Sequence, residues 1–354
     1  MSDTKALKTK GGFSWSKIYR HQLFLPLLCL CLVVLFNIVK TPSFFNISIQ
    51  NGVLYGYIID IINRGSELVI LAVGMTLVVA ASGGTDISVG AVSAVAGAVA
   101  CFSLGSGDTY NVPYAVGFLL ALLTGTLCGA WNGFLVAKMK IQPMVATLIL
   151  FTAGRGIAQL ITDGLILYVR NEQYRLLGSF VPGLPVPTPV LVAAIVVVLT
   201  WALLKFTALG VYIQAVGINP TASRLVGLSS TKIVFLAYAF CGLCSGIAGM
   251  IITSRVYSID ANNAGLNMEL DAILAVALGG NSLGGGKFSL AGSVIGAITI
   301  QALTTSLYAM GVTADQLPIY KAIVVVIIVS LQSPELKKFF AGLRARKAAA
   351  GRAA

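Results

Sequence analysis

"GGNSLGGGKF", residues 279–288, has the look of a loop that cradles phosphates, and whether it is one decides the fold. A nucleotide-binding P-loop reads G-x-x-x-x-G-K-[ST], its Lys reaching the terminal phosphates and its hydroxyl ligating magnesium. Anchored on Gly286-Lys287, that template puts its first glycine at Asn281 and its magnesium-ligating hydroxyl at Phe288. Two of its four defining positions fail, one of them the metal ligand. A glycine-rich turn between two apolar segments accounts for the stretch better. Nucleotide hydrolysis is not expected of this chain.

The flanking composition points the same way. Of 354 residues 57% are hydrophobic and 10% charged, and mean hydropathy is +0.90. Soluble domains carry about 25% charged residues. So few polar side chains cannot cover so much apolar surface in water, and lipid is the expected solvent. A helix crosses a bilayer in about 20 mostly apolar residues. The net charge of +12 does not indicate nucleic acid, because no soluble domain displays it. Lys5, Lys8, Lys10, Lys17 and Arg20 precede the first apolar run. Lys337, Lys338, Arg344, Arg346, Lys347 and Arg352 follow the last. Bases at membrane ends set orientation.

Ten apolar segments run roughly over 22–39, 57–81, 88–104, 112–137, 143–162, 188–206, 232–254, 270–283, 288–308 and 317–332. The first is not read as a cleaved signal peptide, since Lys40-Thr41-Pro42 follows it without a small-residue cleavage site. With the N-terminus inside, the inner connections hold Lys138, Lys140, Lys205, Arg224, Lys232 and Lys287. With the two basic ends, that makes 17 of the 24 bases. Tyr55, Tyr57, Tyr110, Tyr114, Tyr168, Tyr174, Tyr257, Tyr308 and Tyr320 fall near outer ends, as an interfacial belt requires. The expected fold is an all-α polytopic membrane protein of about ten helices, both termini cytoplasmic. A basic segment 1–21 precedes a transmembrane domain 22–332, and a basic tail 333–354 follows it.

Two segments are irregular. The run 270–283 is short for a span, and "ASGGTDISVG" (81–90) interrupts an apolar pair. Broken backbone at membrane depth is tolerated only where protein or a water-filled cavity covers it, and in transporters it often marks the pathway. "GGTDISVGAV" and "GGKFSLAGSV" are also faintly alike, which leaves an internal repeat open.

The chemistry available is narrow. His21 is the sole histidine, at the membrane edge, so serine-triad and His-metal chemistry are essentially excluded. Cys29, Cys31, Cys101, Cys128, Cys241 and Cys244 all lie in apolar stretches. The Cys241-x-x-Cys244 pair has no second pair or His nearby, as zinc needs, and reads as small side chains packing a helix interface. The acids that matter are Asp60, Glu67, Asp86, Glu269 and Asp271, because a carboxylate in hydrocarbon faces a bundle interior or water. A proton relay would use them. Equally, Asp60, Asp86, Glu269 and Asp271 suit helix starts, and Glu67 can pair with Arg64 at i, i+3. The outer connection 258–271 gathers Asp260, Asn262, Asn263 and Asn267, which suit either a turn or sugar hydroxyls. Residues 206–232 form a long cytoplasmic stretch expected to carry a short amphipathic helix along the membrane, presented to something in the cytosol.

"GMTLVVAASGGTDISVGAV" (74–92), "AVGINPTASRLVGL" (215–228) and "ELDAILAVALGGNSLGGGKFSLAGSVIGA" (269–297), in that order, resemble the permease subunits of bacterial ABC sugar importers of the ribose, arabinose, xylose and galactose kind. The resemblance is collinear from about residue 57 to 332. "IQPMVATLIL" with "AGRGIAQLIT", and "DANNAGL" before the "ELDAILAV" run, are most similar to the galactofuranose-type permease. "SGGTDISVG" departs from the family's common G-G-I-D-L-S-V-G around Thr85.

The resemblance implies a multi-pass inner-membrane permease without catalytic, cofactor or metal sites of its own. It pairs with a homologous second permease or a second copy, sits on a cytoplasmic ATPase that carries ATP and Mg, and receives sugar from a periplasmic binding protein. It implies that Ala215, Gly217, Asn219, Ala222, Arg224 and Gly227, within 211–228, dock to that ATPase. Asn63, Asp86, Ser88, Asn263 and Glu269 are the expected translocation-pathway residues. Galactofuranose leads as cargo, with ribose and other pentoses or hexoses open. The rival classes are an ion-coupled secondary carrier and, against the lack of a nucleophile–base pair, an integral membrane enzyme.

Overall fold

The computed structural model describes residues 23–40, 42–50, 53–105, 110–181 and 183–332. The two basic ends, 1–21 and 333–354, lie outside these residues. Helices dominate, and each of the ten apolar segments falls on one. In chain order these are α1 (Phe24–Lys40), α2 (Tyr57–Ser82), α3 (Val89–Leu104), α4 (Tyr114–Ala137) and α5 (Pro143–Ile161). After the single turn α6 (Glu172–Arg175) come α7 (Thr188–Phe206), the short α8 (Leu209–Ile218) and α9 (Pro220–Leu225), and then α10 (Ser230–Val256). The chain ends with α11 (Met268–Leu278), α12 (Leu290–Ala309) and α13 (Leu317–Gln332). Among the described helices α2, α4, α5, α7, α10 and α12 are long and apolar enough to cross a membrane. Two small sheets complete the chain: the hairpin of β1 (Ser48–Gln50) with β2 (Val53–Tyr55), and the long-range antiparallel pair of β3 (Leu167–Tyr168) with β4 (Ser258–Ile259).

The helix limits follow from the sequence. Pro143 opens α5 and Pro189 opens α7, where a missing N–H costs nothing. Ser289 caps α12 by accepting from the Gly292 N–H at 3.1 Å. Gly83, at φ +63°, ends α2 in the left-handed conformation that favours glycine. The apolar run 270–283 is helical only as far as Leu278. Gly279 follows as its cap and Gly280 turns at φ +78°, so the span expected there is shorter than the apolar run.

The axis of the bundle is α2, whose apolar window is 94% buried, against 22% for α4 and 17% for α7. Apolarity alone does not decide which helix is central, since α7 is more hydropathic than α2 and far less buried. The peripheral helices turn Leu119, Leu123, Leu127, Leu148 and Leu199 outward, as lipid permits. On α4, Gly125 and Gly129 face Gly242 and Gly246 of α10. A Cβ at Gly125 would stand 2.4 Å from the Gly242 carbonyl oxygen, so the two backbones touch through a small-xxx-small pair. Cys241 and Cys244 lie on the neighbouring face of α10 against Gly74 of α2, which is the packing role their spacing allowed.

The connections gather at two ends. One holds the loops 83–88, 138–142 and 279–289 with α8 and α9. There Gly84 abuts Pro143, Gly285 abuts Gly83, and the Gly286 N–H donates to the Ala80 carbonyl at 3.0 Å. The other holds the β1–β2 hairpin, the β3–β4 pair and the loop 260–267. There Gly178 N–H donates to Ser254 Oγ at 2.8 Å and Leu54 N–H to the Pro185 carbonyl at 3.4 Å. We call them the glycine-loop end and the hairpin end. The two similar glycine stretches, after α2 and after α11, thus lie against each other.

Candidate functional site

At the hairpin end a cavity of about 880 Å³ opens between α2, α10, α11, α12 and α13. Its walls carry charge in pairs. Arg64 Nε donates to Asp60 Oδ1 at 2.8 Å on the exposed rim. Arg255 Nη2 donates to Glu67 Oε1 at 2.7 Å, with side chains 18% and 7% exposed. Lys321 Nζ donates to Asp271 Oδ2 at 2.8 Å. Two expectations are corrected here. Glu67 does not pair with Arg64, which takes Asp60 one turn back on the exposed side while Glu67 faces α10. Asp271 lies in the first turn of α11, as capping required, but its carboxylate also ties α11 to α13.

The five expected pathway residues divide. Asn263 lines the cavity and donates to Asp260 Oδ2 at 2.7 Å. Asn63 lies beside it, its carbonyl accepting from Arg255 Nη2 at 3.2 Å. Glu269 is buried at the start of α11, with Oε2 so close to α3 that a Cβ at Gly90 would stand 2.2 Å from it. Asp86 and Ser88 sit elsewhere, buried between α2 and α3. Asp86 Oδ1 accepts from the Ser88 N–H at 2.9 Å and from Ser88 Oγ at 2.6 Å. Asn132 Nδ2 of α4 donates to Ser88 Oγ at 2.8 Å. No single site collects all five. Asn132, which completes the Asp86 cluster, was not singled out in the sequence because one Asn in an apolar helix carries no local signal.

Loop 260–267 is pinned from α5. Arg155 Nη1 donates to the Ala261 carbonyl at 3.1 Å and to the Ala264 carbonyl, while Gln159 Nε2 donates to Asn262 Oδ1. The loop's own Asp260 accepts from the Asn262 N–H at 2.9 Å. The Asn263 amide, above all, holds that exposed carboxyl below its ordinary range.

At the glycine-loop end the stretch 206–232 carries two short helices, α8 and α9, where one was expected. Asn219-Pro220 breaks it, and Asn219 Oδ1 caps α9 by accepting from Thr221 and Ala222 N–H at 3.1 and 3.0 Å. Ile213 and Val216 of α8 are buried with Leu77, Ala80 and Ala81 of α2, so this helix packs into the bundle. Gly217 sits at the tightest point. A Cβ there would fall 1.8 Å from the Ala80 carbonyl oxygen and 2.6 Å from Gly286 N. Ala215 is half-buried beside it. Asn219, Ala222, Arg224 and Gly227 are exposed, Arg224 Nε donating to Ser230 Oγ at 2.8 Å. Between them stand Ile218, Leu225 and Val226, 65%, 85% and 76% exposed. Phe206 and Val211 of the same stretch are exposed as well.

Known proteins place these features in context. The family model described as branched-chain amino acid transport system / permease component matches residues 57–343. The chain is 46% identical to a galactofuranose transporter permease protein of Escherichia coli K12, over 90% of its own length and 92% of the relative's. It is 36% identical to a fructose import permease protein of Bifidobacterium longum, over 96% of both chains. It is 39% identical to a ribose import permease protein of Escherichia coli K12, over 85% of its length and 91% of the relative's. No solved structure matches.

Proposed function

This chain belongs to the family of transport-system permease components, and on that premise we propose that it is the membrane permease subunit of an ATP-binding-cassette importer for a monosaccharide, galactofuranose ahead of ribose or fructose. It acts as a conduit in the bacterial inner membrane rather than as an enzyme. ATP and Mg bind a separate ATPase subunit, a second permease or second copy completes the pore, and a periplasmic binding protein delivers the sugar. Ten spans within 22–332, with the basic segments 1–21 and 333–354 both cytoplasmic, put the glycine-loop end inside. Lys138, Lys140, Arg224, Lys232 and Lys287 support that orientation.

The observation that carries the reading is the exposed patch of Ile218, Leu225 and Val226, carried by the end of α8 and by α9, with α8 itself wedged against α2 and the loop 279–289. An ATPase gripping the patch would move α8, and α8 has no free space through which to slip past Ala80 and Gly286. Movement of the ATPase therefore reaches α2, which lines the cavity at the other end. The coupling residues are Ala215, Gly217, Asn219, Ala222, Arg224 and Gly227. Asn63, Asn263 and Glu269 serve the outer part of the pathway, Asp86 and Ser88 its inner part. Docking and nucleotide state shift the pore between two accesses by binding one better than the other.

Reconstitution with and without the ATPase and binding protein tests this. Sugar uptake should require both, and uptake by the permease alone under an ion gradient would replace the reading with an ion-coupled carrier. Leu225→Asp with Val226→Asp should leave the fold intact, since exposed substitutions change stability by about 0.5 kcal/mol or less. The same double change should abolish stimulation of ATP hydrolysis. Unaltered coupled uptake would show that the ATPase docks elsewhere.

A further inference from the structure

The floor of the cavity at the hairpin end carries a group of polar atoms that the ion pairs do not use. Asn63 and Glu67 lie one turn apart on α2, and Arg255 reaches across from the last turn of α10. Arg255 Nη2 serves both, donating to Glu67 Oε1 at 2.7 Å and to the Asn63 carbonyl at 3.2 Å. Glu67 Oε2, Arg255 Nε and the Asn63 side-chain Oδ1 are buried and have no hydrogen-bond partner. Two acceptors and one donor thus stand together without partners, and Glu67 is only 5% exposed overall. Glu67 and Arg255 both line the cavity, so these atoms lie just beneath its surface.

The rest of the cavity narrows the chemistry. Each of the cations Arg64, Arg255 and Lys321 is already paired with a carboxylate, so a charged solute would find no free counter-charge among them. The facing wall, from α12, offers Gln301, Thr304, Thr305 and Tyr308. Paired charges, neutral hydrogen-bonding groups and an aromatic ring suit an uncharged polyol. A hydroxyl is both donor and acceptor. One hydroxyl oxygen can accept from Arg255 Nε while its proton goes to Glu67 Oε2, and a neighbouring hydroxyl can donate to Asn63 Oδ1.

We propose that Asn63, Glu67 and Arg255 form a diol-binding subsite at the cavity floor, taking adjacent hydroxyls of a neutral sugar on its way through. The proposal rests on the monosaccharide reading above and adds the residues that recognise the cargo inside the membrane domain. A buried pair that left three polar atoms unmatched for structural reasons alone would be costly, and a hydroxylated ligand removes that cost.

Saturation-transfer difference NMR of D-galactose with the full chain in lipid nanodiscs tests it. Glu67→Gln with Arg255→Gln removes both charges at similar volume. It should weaken the galactose signal by roughly tenfold, the scale of one lost hydrogen bond to a charged group. Asp60→Asn with Arg64→Gln, on the rim, should leave the signal within about twofold. Asn63→Ala deletes one acceptor without touching the ion pair and should weaken the signal severalfold. It decides the matter if the floor double variant does not elute as a single folded species. Equal signals from wild type and Asn63→Ala, or no signal from wild type, would overturn the subsite. If ATP-dependent uptake fails while galactose binding still depends on the floor, the importer reading falls and the subsite stands. Intact uptake with floor-independent binding has the reverse meaning.

Discussion

The two ends of the bundle are held together by different means. At the hairpin end side chains make the joints: Glu67 with Arg255, Asp271 with Lys321, and Arg155 on the carbonyls of loop 260–267. At the glycine-loop end, beside the Asp86–Ser88–Asn132 side-chain cluster, backbone meets backbone: Gly217 over the Ala80 carbonyl, Gly83 against Gly285, and the Gly286 N–H on Ala80. A side-chain joint can exchange its partner for solvent or ligand by a change of rotamer. A backbone joint through glycine has no such slack and passes displacement on. The difference teaches where reception and transmission are expected, and it agrees with the sidedness proposed above.

The sharpest way to break the comparison is to remove one member of the buried pair. Arg255→Met leaves the Glu67 carboxylate buried among α2, α10 and α12 without its cation. Such a loss costs about 3–5 kcal/mol, whereas removing both partners is often close to neutral. Chemical or thermal unfolding in detergent should show a large loss for Arg255→Met, mostly recovered by adding Glu67→Gln. A single-variant loss under about 1 kcal/mol would mean that the pair behaves as a surface pair. The hairpin end would then not be held by its charges.

The glycine end gives the next largest effect. Gly217→Ala places a methyl group where the Ala80 oxygen already stands. Overpacking of this kind costs about 1–3 kcal/mol. Gly156, exposed on α5 with nothing near its missing Cβ, supplies the contrast. There, alanine should stabilise by roughly 0.5–1 kcal/mol, because glycine is a poor helix residue. Opposite signs in the two unfolding curves would sharpen the distinction between a transmitting glycine and an idle one. Equal signs would erase it. A bulky residue at 217 is accordingly expected to disturb packing as well as coupling, so changes at Leu225 and Val226 isolate coupling more cleanly.

Much of this was legible in the sequence, and the reason is the solvent. Lipid demands long apolar stretches, so the segments announced themselves and each falls on a helix, with glycines and prolines marking the ends. What lipid does not mark is rotation about the helix axis. In α10 apolar and small residues surround the whole circumference, so no local pattern sets the phase that brings Arg255 toward Glu67, 188 residues away. The local alternative, Arg64 three residues before Glu67, was therefore expected and is not what the fold uses. For the same reason Asn132 passed unnoticed until its Nδ2 was seen on Ser88. The stretch 206–232 was legible as a presented segment from its polarity, but the wedging of Gly217 depends on two other loops arriving at the same place.

The smallest effect expected is a pH response of loop 260–267. Asp260 accepts from the Asn263 side chain at 2.7 Å and from the Asn262 N–H at 2.9 Å, and these bonds hold its carboxyl below the ordinary 3.8. A folded-state value below the unfolded one means that the carboxylate's contribution to loop order is complete above 3.8 and disappears as pH falls through the lower, folded value. Loop 260–267 should therefore stay protected down to about pH 4 and loosen only beneath it. The effect is modest because the side chain is exposed and solvent screens it. Amide exchange of 260–267, corrected for its intrinsic pH dependence, measures this, and Asp260→Asn should remove the dependence while Arg155 still pins the loop. Loosening that sets in nearer neutrality, or that survives Asp260→Asn, would assign the response to another group.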